Sequence, residues 1–199
     1  MYAPTLEEIT ALRDKILSLP DEDYTHLTDA QAILSFQGSW LSNLYACPVI
    51  LNGITYPSVE HGYQRAKFMH LDWTTLPEVT KDALKEHLRS KGYAAPIAFD
   101  ASMFTLDSLP SGMSKSIANI LRDGGLIDKD WHERSVATMI ELLLQKYHYD
   151  EFETKLLSTG NKVLVEGNTW NDTFWGICEG KGRNLLGKAL MEIRTMLKN

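Results

Sequence analysis

Val49-Ile50-Leu51-Asn52-Gly53-Ile54-Thr55-Tyr56 runs directly into Pro57-Ser58-Val59-Glu60-His61, and the pattern changes period in mid-stretch. The two apolar triplets flank Asn52-Gly53, a pair that tolerates the left-handed backbone of a two-residue hairpin turn. A hairpin is expected there. Ser58 then stands where an N-cap belongs, and a helix is expected from it to about His70.

Working outward, Ala32-Ile33-Leu34-Ser35-Phe36 reads as a short strand, and residues 5–19 as a helix. Thr5 and Glu8 form a capping box there, Leu6, Ile9, Leu12 and Ile16 recur at helical spacing, and Pro20 closes the segment. Residues 1–30 are expected to be an N-terminal helical extension packed on a main domain of residues 31–199. Downstream, helices are expected near 78–90, over 114–122 up to Gly124-Gly125, and from Trp131 to Tyr147. Between the first two lie loops rich in Gly, Pro and Ser, including Leu109-Pro110-Ser111-Gly112. Asp150 can cap a short helix through Leu157, Val163-Leu164-Val165 returns to strand, and a last helix runs from about Asn184 to Leu197. Few strands among many helices imply an α+β fold: a mostly helical single domain with a small β-sheet or hairpin.

The bulk numbers narrow the function. A chain of 199 residues fits one domain with one sizeable core. No apolar run approaches the ~20 residues that cross a bilayer, so no membrane association is expected. The start Met1-Tyr2-Ala3-Pro4-Thr5-Leu6-Glu7-Glu8 shows no secretory signal, and Cys47 and Cys178 make no C-x-x-C pair. A cytoplasmic protein is the expectation. A net charge of -6 gives no global attraction to nucleic acid, which favours a small phosphorylated ligand over a long nucleic-acid footprint. It leaves room for a single modified nucleotide held in a pocket.

Three segments carry candidate chemistry. On the helix after Ser58, Glu60, Gln64 and Lys67 stand at i, i+4 and i+7 and project from one face. Glu60 lies in the first turn, where the helix dipole favours the ionised form, suited to stabilising an oxocarbenium-like centre or taking a proton from water. Lys67 could clamp an anion or, if buried, act as a nucleophilic amine towards a sugar aldehyde. The competing reading is a solvated helix with a Glu–Lys stripe. In the second segment, 166–176, Trp170, Phe174 and Trp175 mix with Asn168, Asn171 and Asp172. Stacking faces beside hydrogen-bonding edges suit a base or ribose, although aromatics in a tight turn can simply fill a core.

The third segment is Gly180-Lys181-Gly182-Arg183-Asn184, a glycine-rich loop leading onto a helix. Two cations and a helix N-terminus suggest a phosphate cradle, against the alternative of a turn with Asn184 as an ordinary cap. Metal sites do not assemble: the six histidines show no H-E-x-x-H and no zinc-type spacing with the cysteines. His61, beside Glu60 but about 100° away round the helix, reads as a structural hydrogen-bonder.

In order along the chain, Leu41-Ser42-Asn43-Leu44-Tyr45, then Tyr56-Pro57-Ser58-Val59-Glu60-His61-Gly62-Tyr63-Gln64-Arg65-Ala66-Lys67-Phe68, then Asn171-Asp172-Thr173-Phe174-Trp175-Gly176, then Gly180 to Met191 resemble the motifs of the NADAR (YbiA-like) family. The resemblance covers roughly residues 33–70 and 110–197, with Trp131 between its motifs. It implies a largely helical α+β domain with no metal or organic cofactor and N-glycosidase activity on ribose-phosphate or ADP-ribose compounds. Members are associated with hydrolysis of phosphoribosylamino intermediates of riboflavin synthesis. They are also associated with removal of ADP-ribose from guanine, for which a lysine Schiff base has been proposed. The family's helix carboxylate and lysine correspond to Glu60 and Lys67, its Asn-Asp-x-x-Trp-Gly to Asn171, Asp172, Trp175 and Gly176, and its cap asparagine to Asn184. The chain departs from the pattern at Gly62, where relatives carry a bulkier residue, and at Leu44, where they carry Phe.

Residues and resemblance together give an expected site. Glu60, Lys67 and Asp172 are the catalytic candidates. Asn43, Tyr63, Gln64, Trp131, Asn171, Trp175, Gly176, Lys181, Arg183 and Asn184 are the substrate-binding ones. Lys181, Arg183 and the last helix would hold phosphate, Trp175 and Trp131 would stack on the base, and Asn43 and Asn171 would orient the ribose. The expected partner is a small phosphorylated ribose or ADP-ribose substrate, or an ADP-ribosylated nucleotide in nucleic acid. The alternative is a non-catalytic module that binds ADP-ribose or a nucleotide.

Overall fold

The computed structural model describes residues 2–94, 99–106 and 108–198. The chain is α+β and mostly helical, and it divides into two compact units, Met1–Ser42 with Leu143–Asn199, and Asn43–Leu142. The boundary falls inside the long helix α5 (Trp131–Tyr147). Part of the loop-rich stretch, residues 95–98 and 107, lies outside the described residues.

The first unit is built round α7 (Leu185–Leu197), in which every residue from Leu185 to Leu190 is buried. Helix α1 (Leu6–Ser18) packs on it through Ile9, Leu12 and Ile16. The Thr5–Glu8 capping box forms as expected, worth about 1 kcal/mol. Lys188, 2% exposed, reaches the chain after α1 and donates to the Pro20 carbonyl at 2.8 Å. Two short parallel ribbons complete this unit: β1 (Ala32–Ile33) beside β4 (Val163–Leu164), and β5 (Gly167–Asn168) beside β6 (Ile177–Cys178). Helix α6 (Asp150–Ser158) lies against α7, and Arg194 of α7 donates to Thr159 Oγ1 at 2.6 Å and to the Lys162 carbonyl at 2.9 Å.

The second unit opens with the expected hairpin, β2 (Val49–Leu51) antiparallel to β3 (Ile54–Tyr56), with Leu51 opposite Ile54. Asn52 and Gly53 take φ of 51° and 76°, the left-handed pair that a tight hairpin turn demands. Helix α2 (Val59–Ala66) follows and packs on both strands of the hairpin and on α4 (Ser111–Asp123). Helix α3 (Glu78–Ser90) covers α4. Gly62 lets α2 approach the first part of α5: a Cβ there would lie 3.2 Å from Leu142 Cδ2.

Several elements differ from expectation. Helix α2 stops at Ala66, short of His70, because competing donors take its last carbonyls. The His70 N–H goes to Asp128 Oδ1 at 3.2 Å, while the Ala66 carbonyl accepts Arg134 Nη1 at 3.3 Å and the Lys67 carbonyl accepts the Asp128 N–H at 2.8 Å. Helix α4 starts three residues early, at Ser111, with the Pro110 carbonyl accepting the Met113 N–H at 2.7 Å. Asp150 is the first residue of α6, and Tyr149 holds the cap position. The β5–β6 ribbon has no counterpart in the periodicity of the sequence.

Candidate active site

Helix α2 presents polar groups where a helix of this length should present apolar ones. All eight of its residues are buried, among them Glu60 at 8%, Gln64 at 3% and Arg65 at 8% exposure. A solvated Glu–Lys stripe is thereby excluded. Ser58 caps the helix: its Oγ accepts the His61 N–H at 3.3 Å and pairs with His61 Nδ1 at 2.9 Å. His61 Nε2 meets the Leu109 carbonyl at 3.0 Å, so that nitrogen carries the proton and Nδ1 accepts from Ser58. His61 is a structural hydrogen-bonder, as its position round the helix suggested.

Glu60 joins two neighbours. Its N–H donates to the Asn43 carbonyl at 3.0 Å, closing the first turn, and its Oε1 accepts Gln64 Nε2 at 2.7 Å. Asn43 Nδ2 in turn meets Met139 Sδ at 3.4 Å. One turn along α2, Tyr63 packs edge-on against Trp131 with ring centroids 5.0 Å apart. Lys67, half-buried at the C-cap, has its Nζ 5.4 Å from the Tyr63 ring centroid. The Arg134 guanidinium stands 5.6 Å from the Trp131 ring. The structure therefore groups Asn43, Glu60 and Gln64, and groups Tyr63, Lys67 and Trp131, within one unit.

Arg134 also closes the C-terminal end of α2. Its Nη2 and Nε lie 2.8 Å from Asp128 Oδ2 and Asp130 Oδ2. The hydrogen bond from Arg134 holds the Asp130 carboxyl below its ordinary value. His70, Asp128 and Asp130 bring ligand-type atoms within 4.8 Å of one another beside a cavity of about 470 Å³ lined by residues 70–72 and 125–130. Arg134 pairs with both carboxylates, and its single positive charge offsets one of their two negative charges.

Glu141 on α5 was not among the expected residues. Burial pushes its carboxyl above the ordinary 4.5. An unfolded chain releases that proton near the ordinary value while the folded chain retains it. Stability therefore falls as pH rises through the window between the two values, and the loss persists at neutral pH. Glu141→Gln should match wild type in thermal midpoint near about pH 4 and exceed it near about pH 8. A difference that stays flat across a calorimetric pH series contradicts this.

The loop of 168–176 belongs to the other unit and is held by nested side-chain turns. Asn168 Oδ1 accepts the Asp172 N–H at 3.0 Å, and Asn168 Nδ2 donates to the Asp172 carbonyl at 2.8 Å. Asp172 Oδ1 accepts the N–H groups of Phe174 and Trp175 at 3.1 and 2.9 Å. Asp172 is thus tied into shaping its own loop, and Asn168, whose residue type suggested an edge for a ligand, organises the loop instead. The spacing of two turn-forming residues four apart was the available signal. Asn171 sits exposed at φ 63°, and half-buried Trp175 meets the Phe174 ring edge-on at 5.2 Å. Gly176 admits the Glu166 carbonyl, 2.2 Å from where a Cβ would stand.

The expected phosphate cradle is not formed. Cys178 and Lys181 exchange N–H and carbonyl, both at 2.9 Å, across a tight turn with Glu179 and Gly180 at φ 50° and 77°. The Leu185 and Leu186 N–H groups at the start of α7 donate to the Phe174 and Trp175 carbonyls at 3.4 and 3.0 Å, which closes the helix N-terminus to an anion. Arg183 Nε lies 3.5 Å from Asp21, and the Arg183 N–H donates to the Thr173 carbonyl at 2.8 Å. Lys181 remains exposed at the turn. Asn184 is buried with φ 50° and makes no side-chain cap. Its Oδ1 accepts the Glu166 N–H at 3.0 Å and its Nδ2 donates to the Leu164 carbonyl at 2.9 Å, so it staples α7 to β4 and has no reach to a ligand.

With this geometry in place, the comparisons settle the class. The NADAR domain matches residues 34–198, and the chain belongs to that family. N-glycosidase YbiA of Escherichia coli is 29% identical over 158 residues, 78% of this chain and 79% of that protein. Riboflavin biosynthesis protein PYRR of Zea mays is 28% identical over 204 residues, 96% of this chain and 29% of that protein. The NMR structure of Escherichia coli YbiA superposes with a TM-score of 0.56 at 26% identity, covering 90% of this chain and 94% of that one. No helix among the described residues is long and apolar enough to cross a membrane.

Proposed function

We propose that this chain is an N-glycosidase that hydrolyses the C–N bond at C1′ of ribose-phosphate or ADP-ribose compounds. The observation that supports this best is the buried, mutually bonded pair Glu60 and Gln64 on a helix that could have been wholly apolar. A buried carboxylate with an amide partner one turn away is an arrangement that packing alone does not require. As the C1′–N bond breaks, its electron pair leaves with the base nitrogen, and the positive charge left on the sugar faces Glu60. Water then adds to C1′ and gives its proton to a base, a second task for the same carboxylate.

Lys67 has two roles open to it, holding the departing anion or condensing with C1′ of the opened sugar. In the second, the amine nitrogen bonds to C1′, the base departs with its nitrogen protonated, and water later releases the sugar from the imine. The substrate is a phosphoribosylaminopyrimidine of the riboflavin pathway or an ADP-ribosylated guanine, and the setting is cytoplasmic.

The test is a panel of ADP-ribosyl-guanine DNA, a phosphoribosylaminopyrimidine and NAD⁺, with released base read by mass spectrometry. Release of base from at least one of them is expected. Stoichiometric binding without release would instead make the chain a non-catalytic reader of ADP-ribose or nucleotides. Borohydride added during turnover should attach one sugar to Lys67. No adduct, together with full activity in Lys67→Ala, removes the covalent route and leaves direct hydrolysis.

A further inference from the structure

Among the described residues, two amide oxygens on the residues bonded to Glu60 have no hydrogen-bond partner: Asn43 Oδ1 and Gln64 Oε1. Their residues are 9% and 3% exposed. The orientation of each amide follows from its other end. Gln64 must turn Nε2 to the Glu60 carboxylate, which only accepts, and this leaves Oε1 facing away. Asn43 turns Nδ2 to the Met139 sulfur, which accepts weakly, and this leaves Oδ1 open. Both residues bond to Glu60, Asn43 through its backbone carbonyl and Gln64 through its side chain.

A buried acceptor without a donor is costly to leave so, and these two call for donors. Neutral hydroxyl groups fit this need well: they donate to amide oxygens and bring no second charge to compete with that on Glu60. We infer that Asn43 Oδ1 and Gln64 Oε1 read hydroxyl donors of the substrate sugar, and that the site therefore takes ribo-sugars in preference to 2-deoxyribo-sugars. The inference rests on the proposed glycosidase site and adds its sugar specificity. A site built round acceptors rejects a sugar lacking the donor more sharply than an apolar pocket rejects an extra hydroxyl, because the acceptor is left unpaired.

The probes are ribose 5-phosphate and 2-deoxyribose 5-phosphate, titrated calorimetrically into the full chain. Wild type should bind the ribo-sugar about 10–100-fold more tightly. Asn43→Leu and Gln64→Met remove the acceptors singly. At least one should weaken binding of the ribo-sugar and bring the ratio towards one, while holding the 2-deoxy sugar about as wild type does. Retained binding of the 2-deoxy sugar shows that the variant is folded, and circular dichroism gives a second check. Equal binding of the two sugars by wild type, unchanged discrimination in both variants, or binding of neither sugar overturns the inference. Base release by wild type in the substrate panel separates this failure from that of the glycosidase reading: release with equal sugar binding sinks the specificity alone.

Discussion

Glu60→Gln is expected to lower kcat for base release by about 10²–10⁴-fold while KM and the thermal midpoint stay near wild type. The substitution is nearly isosteric, and a glutamine oxygen can still accept Gln64 Nε2, so the bond that now measures 2.7 Å has a successor. Packing against the Asn43 carbonyl is untouched because that contact uses the backbone of residue 60. What disappears is the negative charge, which acts chiefly when C1′ becomes positive, in a site where water screens little. A loss confined to kcat is the mark of such an interaction. A variant that keeps its rate within about threefold would reduce Glu60 to a buried structural carboxylate. An accompanying collapse in stability would point the same way, and the proposed chemistry would then need another carboxylate.

Which features could be read from sequence follows from how local their causes are. The hairpin was legible because Asn52-Gly53 carries its turn chemistry within two residues, and both adopt the required positive φ. Helix α1 was legible because Thr5 and Glu8 cap each other. The end of α2 was not, since Asp128 and Arg134, about sixty residues on, decide it by taking the carbonyls of Ala66 and Lys67. The same holds for the candidate site. Glu60, Gln64 and Lys67 were found from helical spacing, but a stripe of those residues looks alike whether solvated or buried, and only packing on the hairpin and α4 shows the helix to be enclosed. The glycine-rich run at 180–184 misled for a related reason. Glycine and asparagine serve tight turns and anion nests equally, and here the turn, the Asp21 pairing and the Asn184 staple account for them.

Asn184 and its neighbour give the second large effect. Gly187→Ala should destabilise the chain by about 3 kcal/mol, the upper end of the usual cost of a steric conflict that a core cannot relax. Ordinarily the same exchange within a helix gains up to about 1 kcal/mol, so the sign is set by what the added methyl meets. At 187 it meets backbone: the Leu164 carbonyl oxygen lies 2.0 Å from the Cβ position, with Asn184 Oδ1 at 2.5 Å. No rotamer change relieves a clash with a strand, and Leu164 is paired with Ile33 in the β1–β4 ribbon, so α7 itself must back away. Retreat breaks both bonds of the Asn184 staple and pulls the Leu185 and Leu186 N–H groups from the loop that carries Trp175. Gly112→Ala is the matched comparison. It lies in α4 with nothing within 4 Å of its Cβ position, and it should leave stability unchanged or raise it slightly. Urea denaturation of the pair reads the difference directly. If alanine at 187 unfolds with the wild-type midpoint, α7 does not approach β4 this closely, and the support assigned to the 171–176 loop goes with that contact.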